Sequence, residues 1–154
     1  MEYLTRKLTV RNMELANRLV MPPMATSCSD EKGQVTQKLL DYYNEKTHSG
    51  YLGLVITEHS YVSPEGMAHP KQMSVCRDED IPGLAKLTEV LHKNGSMAVA
   101  QISHAGAASH EKDTGLAPVG PSEAAFSGGE TGHVLTKADM ARLVECFAEP
   151  RTGR

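Results

Sequence analysis

The sequence has no tryptophan, two phenylalanines and five tyrosines among 154 residues. A core must therefore be built from Leu, Val, Ile, Met and Ala, the filling usual in parallel α/β sheets. The three cysteines, Cys28, Cys76 and Cys146, stand far apart and in no CxxC pattern. That spacing argues against a disulfide framework and against a zinc or iron–sulfur site, and makes reduced thiols in a cytoplasmic protein the expectation. Basic charge is not in surplus, with 16 Lys and Arg against 19 Asp and Glu for a net charge of -3, so a nucleic-acid partner is not expected. No run reaches the roughly 18 apolar residues of a membrane span, and no apolar segment follows the charged start, so no membrane partner is expected either. The phosphate-binding and nucleophile signatures GxGxxG, GxxxxGK[ST] and GxSxG are missing.

What is present alternates. Two short extended runs flank Arg11 and Asn12, predicting a hairpin, and a first core strand is expected over 18–21 before Pro22 and Pro23. Thr36 is placed to cap a helix that Gly50 ends, with Leu39, Leu40 and Tyr43 on its buried side. The run LGLVITE over 52–58 reads as a strand covered on both faces. A long irregular stretch follows, of the kind that usually carries function. Asp80 is a candidate N-cap for a second helix with Ile81, Leu84, Leu87, Val90 and Leu91 on one face, ended by Asn94 and Gly95. Residues 96–103 form a third apolar strand, and 104–135 read as a further irregular connection. Thr136 caps a last helix with Met140, Leu143, Val144 and Phe147 in a stripe that should face a sheet. Strand, helix, strand, helix, strand indicates an α/β fold made of βαβ units.

In such folds ligands lie beyond the carboxyl ends of the strands. The residues found there are Pro22, Pro23, Met24 and Ala25, then Glu58, His59 and Ser60, then Gln101 to His104. An amide at Gln101, inside an apolar strand, must have its donor and acceptor satisfied, either by a loop backbone or by the imide edge of a flat heterocycle. Glu58 is expected to pair structurally with a cation or loop N–H groups rather than to act as a base. His59 and His104 are expected to hydrogen-bond locally; His104 and His110, six apart, match no metal-ligand spacing, and no metal is expected.

Taken together, LANRLVMPPMAT, GLVITEHSYVSPEGM, LTEVLHKNGSMAVAQISHAG and APVGPSEA, in this order, resemble the Old Yellow Enzyme family of flavin oxidoreductases, in its NADH:flavin oxidoreductase and dienoyl-CoA-reductase-like branch. The resemblance extends from about residue 4 to residue 147. It implies a (β/α)8 TIM barrel with FMN at its C-terminal mouth, of which these residues supply the N-terminal hairpin and about three β/α units. It implies that Pro22, Pro23, Met24 and Ala25 pack on the isoalloxazine and offer it backbone N–H groups, that His59 lines the flavin where relatives often carry Ala or Gly, and that Gln101 holds the pyrimidine edge. Ala25 stands where some relatives have a Thr or Cys that touches the ring.

The implied reaction passes hydride from NADH or NADPH through flavin N5 to an activated alkene or another flavin acceptor. The family's substrate-polarising His pair and its phosphate loops have no counterpart among these residues. The expectation is therefore an N-terminal portion over 1–148 with an irregular tail at 149–154, truncated and inactive alone. The alternatives are a homo-oligomer that completes a barrel, and a non-catalytic βα interaction module acting through open sheet edges.

Overall fold

A computed structural model describes residues 2–123 and 131–149. Ala124, which ends the fourth family motif, and tail residues 150–154 lie outside the described residues.

The predicted hairpin is present, with β1 (Leu8–Val10) antiparallel to β2 (Met13–Leu15) about Arg11 and Asn12. A parallel sheet follows in the order β3 (Val20–Met21), β4 (Leu54–Ile56), β6 (Met97–Val99). Helix α1 (Gln37–Thr47) joins the first pair and α2 (Ile81–Lys93) the second. Thr36 caps α1 as expected, accepting the Leu39 N–H at 3.2 Å. Gly50, at φ +72°, takes the left-handed backbone that lets the chain leave the helix end.

Side chains alternate across a strand, and the register therefore sorts them. Met21, Val55 and Ala98 are paired across the strands and point to the helix layer, where Val55 is buried among Leu39, Tyr43, Leu84, Leu87 and Leu91. Val20, Leu54 and Met97 share the other face, with Ile56 and Val99 beside them. The expectation that 52–58 is covered on both faces is corrected here, because Leu54 and Ile56 are only half-buried and Val20, Met97 and Val99 are exposed. Both helices pack on the same side.

The strands are also shorter than the apolar runs that encode them. Pairing stops after Ile56 and Val99 and resumes as β5 (Ser60–Tyr61) parallel to β7 (Ile102–Ser103). Between the register pairs Ile56–Val99 and Ser60–Ile102, one strand runs four residues and its neighbour three. The extra residue is a bulge, a device that re-aims side chains at sheet rims.

The irregular stretch after β5 belongs to the core rather than covering it. Val62, Met73 and Val75 are buried with the α1 and α2 side chains, and Tyr61 exchanges backbone bonds with Met73 and Val75 at 3.0 and 3.1 Å. Asp80 does not cap α2 through its side chain. Its carboxylate instead accepts from the Ser74 hydroxyl at 2.6 Å, the Arg77 N–H at 3.1 Å and the Arg77 guanidinium at 2.9 Å, closing a turn one step earlier. The connection at 104–135 is more ordered than expected, holding a short helix α3 (Glu111–Thr114) and a parallel pair, β8 (Val119–Gly120) with β9 (His133–Val134). Thr136 and Asp139 then form a capping box on α4 (Lys137–Ala148). The α4 stripe, however, faces no sheet among the described residues: none of the helix's residues is buried.

Candidate functional site

Three parallel strands deliver their carboxyl ends to one side, and two cross-strand bonds draw the following segments together. The Thr26 N–H donates to Glu58 Oε2 at 2.8 Å, holding the segment after β3 beside the end of β4. The Ser60 N–H donates to the Gln101 carbonyl at 2.8 Å, joining the β4 end to the β6 end. Residues 24–26, 58–60 and 101 thus form one rim.

At the first position, Pro22 and Pro23 end the strand because proline cannot donate to a ladder. Met24 and Ala25 follow as exposed residues, and their backbone N–H groups make no hydrogen bond to the described protein. At the second, Glu58 is buried, and its own N–H donates to the Tyr43 hydroxyl oxygen at 2.8 Å. Burial pushes the Tyr43 phenol well above its ordinary value, so it stays protonated. The loop pairing expected for Glu58 is found in the Thr26 contact, whereas its Oε1 is buried without a partner among the described residues.

His59 is half-buried. Its Nδ1 lies 3.1 Å from Gln72 Nε2 and 3.4 Å from Ser103 Oγ, and its ring is 5.4 Å from that of His69. Burial, then the His69 ring, lower its pKa. At the third position the sequence expectation is corrected, because Gln101 falls in the break between β6 and β7 rather than inside a strand. Its side chain is exposed and makes no hydrogen bond among the described residues. The amide reaches solvent, and no described loop backbone satisfies it.

A second polar cluster flanks the rim. His104 Nδ1 accepts the Gly106 N–H at 2.9 Å, the local bond expected of a strand-end histidine. Its ring lies against Gly66 so closely that a Cβ there would sit 2.4 Å from the ring. Its Nε2 is buried, 3.9 Å from Glu65 Oε1, and the same carboxylate oxygen accepts from Arg142 of α4 at 2.6 Å. Burial raises the Glu65 pKa, but the Arg142 bond and charge outweigh it, so the net direction is down. Burial lowers that of His104.

Gln72, Glu65 and Arg142 were not legible as site residues. Gln72 sits in a stretch without hydropathy period, and Arg142 is one charge on a helix surface. Only their distant partners give them meaning.

The rim suits a planar heterocycle with a mixed polar edge. Exposed backbone donors at Met24 and Ala25 and an unengaged carboxamide at Gln101 are what an edge with carbonyl and imine groups requires.

Residues 4–151 match the family model described as NADH:flavin oxidoreductase / NADH oxidase. The chain is 34% identical over 137 residues to a probable NADH-dependent flavin oxidoreductase of Bacillus subtilis, covering 86% of this chain and 36% of the relative. It is 30% identical over 139 residues to an NADPH dehydrogenase of Halalkalibacterium halodurans, covering 90% and 40%. The old yellow enzyme homologue from Zymomonas mobilis superposes with a TM-score of 0.82 at 21% identity, over 94% of this chain and 42% of that one. Morphinone reductase does so with a TM-score of 0.80 at 23% identity, over 94% and 42%. The chain therefore spans about two fifths of these proteins, and its fold is that of the matching part of their (β/α)8 barrels. With the family model covering nearly its whole length, the chain belongs to the NADH:flavin oxidoreductase / NADH oxidase family.

Proposed function

We propose that this chain supplies the flavin bed of an FMN-dependent NAD(P)H oxidoreductase of ene-reductase type. The observation that carries the reading is the rim itself: unpaired N–H groups at Met24 and Ala25 beside an unengaged Gln101 carboxamide, drawn together by the Thr26–Glu58 and Ser60–Gln101 bonds. When bound, FMN supplies hydride transfer from NADH or NADPH to an activated alkene or another acceptor.

The chain's own residues hold and orient the ring. Pro22 and Pro23 fix the backbone so that Met24 and Ala25 present their N–H groups outward. Gln101 offers both a donor and an acceptor to an imide edge. His59 lines the ring beside them. Glu58 ties the rim together rather than moving a proton, since it is buried and one of its oxygens accepts the Thr26 N–H.

By this reading residues 1–148 act as one portion of a barrel and do not turn over substrate alone, since nothing in them corresponds to the family's polarising His pair or phosphate loops. A reducing compartment such as the cytoplasm suits the three free thiols. The half-open sheet face, with Val20, Met97 and Val99 exposed, favours a second reading in which further strands complete the barrel from another copy.

The test is a fluorescence titration of the full chain with FMN and with lumiflavin, which lacks the phosphate. Both should bind weakly and with equal affinity, and Gln101→Ala should weaken each about tenfold, the loss of one donor and one acceptor to the ring edge. Failure of both flavins to bind at millimolar concentration overturns the reading.

A further inference from the structure

We propose that Gln72 locks His59 as a neutral imidazole with its proton on Nε2, so that the rim carries a third, uncharged hydrogen-bond donor aimed at the acceptor edge of a planar heterocycle. The identity of that heterocycle rests on the flavin reading above; the lock does not.

The argument begins at a backbone group. The Ala68 N–H lies 2.7 Å from Gln72 Oε1 and can only donate, which fixes which end of this buried amide is oxygen. The other end is then an NH2. Its nitrogen lies 3.0 Å from the His59 carbonyl, 3.1 Å from His59 Nδ1 and 3.3 Å from Ser103 Oγ. An NH2 group accepts nothing, so Nδ1 meets it as an unprotonated acceptor. The competing arrangement, Nδ1–H donating to Ser103 Oγ at 3.4 Å, sets that proton against the amide's own hydrogens at 3.1 Å. With Nδ1 bare, the ring proton of neutral His59 resides on Nε2.

Nε2 is available. Unlike Nε2 of His69 and of His104, it is not sealed in the interior, and it makes no hydrogen bond among the described residues. The ring stays neutral for reasons beyond Gln72. His69 packs against it, ring centroids 5.4 Å apart, with its own Nδ1–H donated to the Pro70 carbonyl at 3.0 Å. Burial and His69 both disfavour a charge on His59, with Glu58 the nearby group opposing them. The bulge before β5 places His59 in this cluster: without the extra residue, the position after Glu58 would fall into β5 register instead.

Gln72 is thus a positioning residue that acts through His59. A carbonyl oxygen or imine nitrogen of a bound ring meets a fixed donor there, in addition to the backbone donors of Met24 and Ala25.

Long-range 1H–15N correlation spectra of the 15N-labelled full chain test the lock. At pH 7.5 the His59 ring should show a protonated Nε2 and a bare Nδ1. Gln72→Glu keeps an acceptor for Ala68 but turns an oxygen toward Nδ1, and should give Nδ1–H or an imidazolium with a midpoint above the ordinary value of about 6.5. A protonated Nδ1 in the unsubstituted chain, or an unchanged tautomer in Gln72→Glu, overturns the lock; the first result stands even where the variant does not fold. For the donor, lumiflavin should bind His59→Phe about tenfold more weakly than the unsubstituted chain. Equal binding overturns the donor role and leaves the flavin reading intact. Absence of lumiflavin binding to every variant overturns the flavin reading and the proposed ligand, while the spectra still decide the tautomer.

Discussion

Helices α2 and α4 carry the same kind of apolar stripe and meet opposite ends. α2 buries Leu84, Leu87 and Leu91 against β4, β6 and α1, whereas α4 leaves Met140, Val144 and Phe147 at 48%, 67% and 40% exposure. Both start well, α2 with Pro82 in its first turn and α4 with a capping box. An amphipathic pattern therefore specifies a helix and a face but not a partner. α2 is held by packing, and α4 is held by the ion pair from Arg142 to Glu65 and by half-buried Cys146 against the core.

Substitutions should separate the two helices sharply. Leu91→Ala, at a fully buried position, is expected to destabilise the fold by about 2–5 kcal/mol in urea unfolding. Gly66→Ala should rank next, since the new methyl meets the His104 ring and forces it to shift; the expected cost is about 1–3 kcal/mol, with displaced His104 ring resonances as its signature. Arg142→Ala is expected to cost about 1 kcal/mol or less globally, because the guanidinium is half exposed and screened by solvent. Its effect should be local, with faster amide hydrogen exchange over 137–148 and unchanged protection in α2. Val144→Ser should lie within about 0.5 kcal/mol of zero, as exposed positions usually do. A large loss for Val144→Ser would mean that α4 is packed in solution and that the contrast fails.

Acidity acts on the rim side. His59 and His104 both have lowered pKa values, so the folded chain prefers them neutral and the unfolded chain takes up protons first as pH falls. Their contribution is complete above the unfolded value of about 6.5 and is lost as pH drops through their folded values. Glu65, also lowered, adds a loss at still lower pH, through its folded value. The urea midpoint should fall between pH 7.5 and 5.5, and His104→Gln should reduce that fall.

Periodicity made α1, α2 and α4 legible as helices, the first two with their buried faces, the caps Thr36 and Thr136 marked the starts of α1 and α4, and the apolar runs located all three strands of the parallel sheet. The strand ends were less so. The bulge after Ile56 leaves no mark in the hydropathy pattern, and Gln101 reads as a strand residue although it sits in the break. Met73 and Val75 join the core from a stretch without any period, because long-range bonds to Tyr61 hold them there. Asp80 carried a cap signal that its three polar partners redirect. Local patterns encode local bonds; the polar cluster around Gln72 depends on contacts between segments far apart in the chain.

The convergence of three strand ends on one planar ligand is tested most directly by amide chemical-shift mapping of the full chain with FMN at millimolar concentration. The largest shifts should fall on Met24, Ala25, His59 and Gln101, with α4 unaffected. Shifts confined to α4, to the exposed sheet face or to no residue at all would contradict the assignment of this rim as a flavin bed.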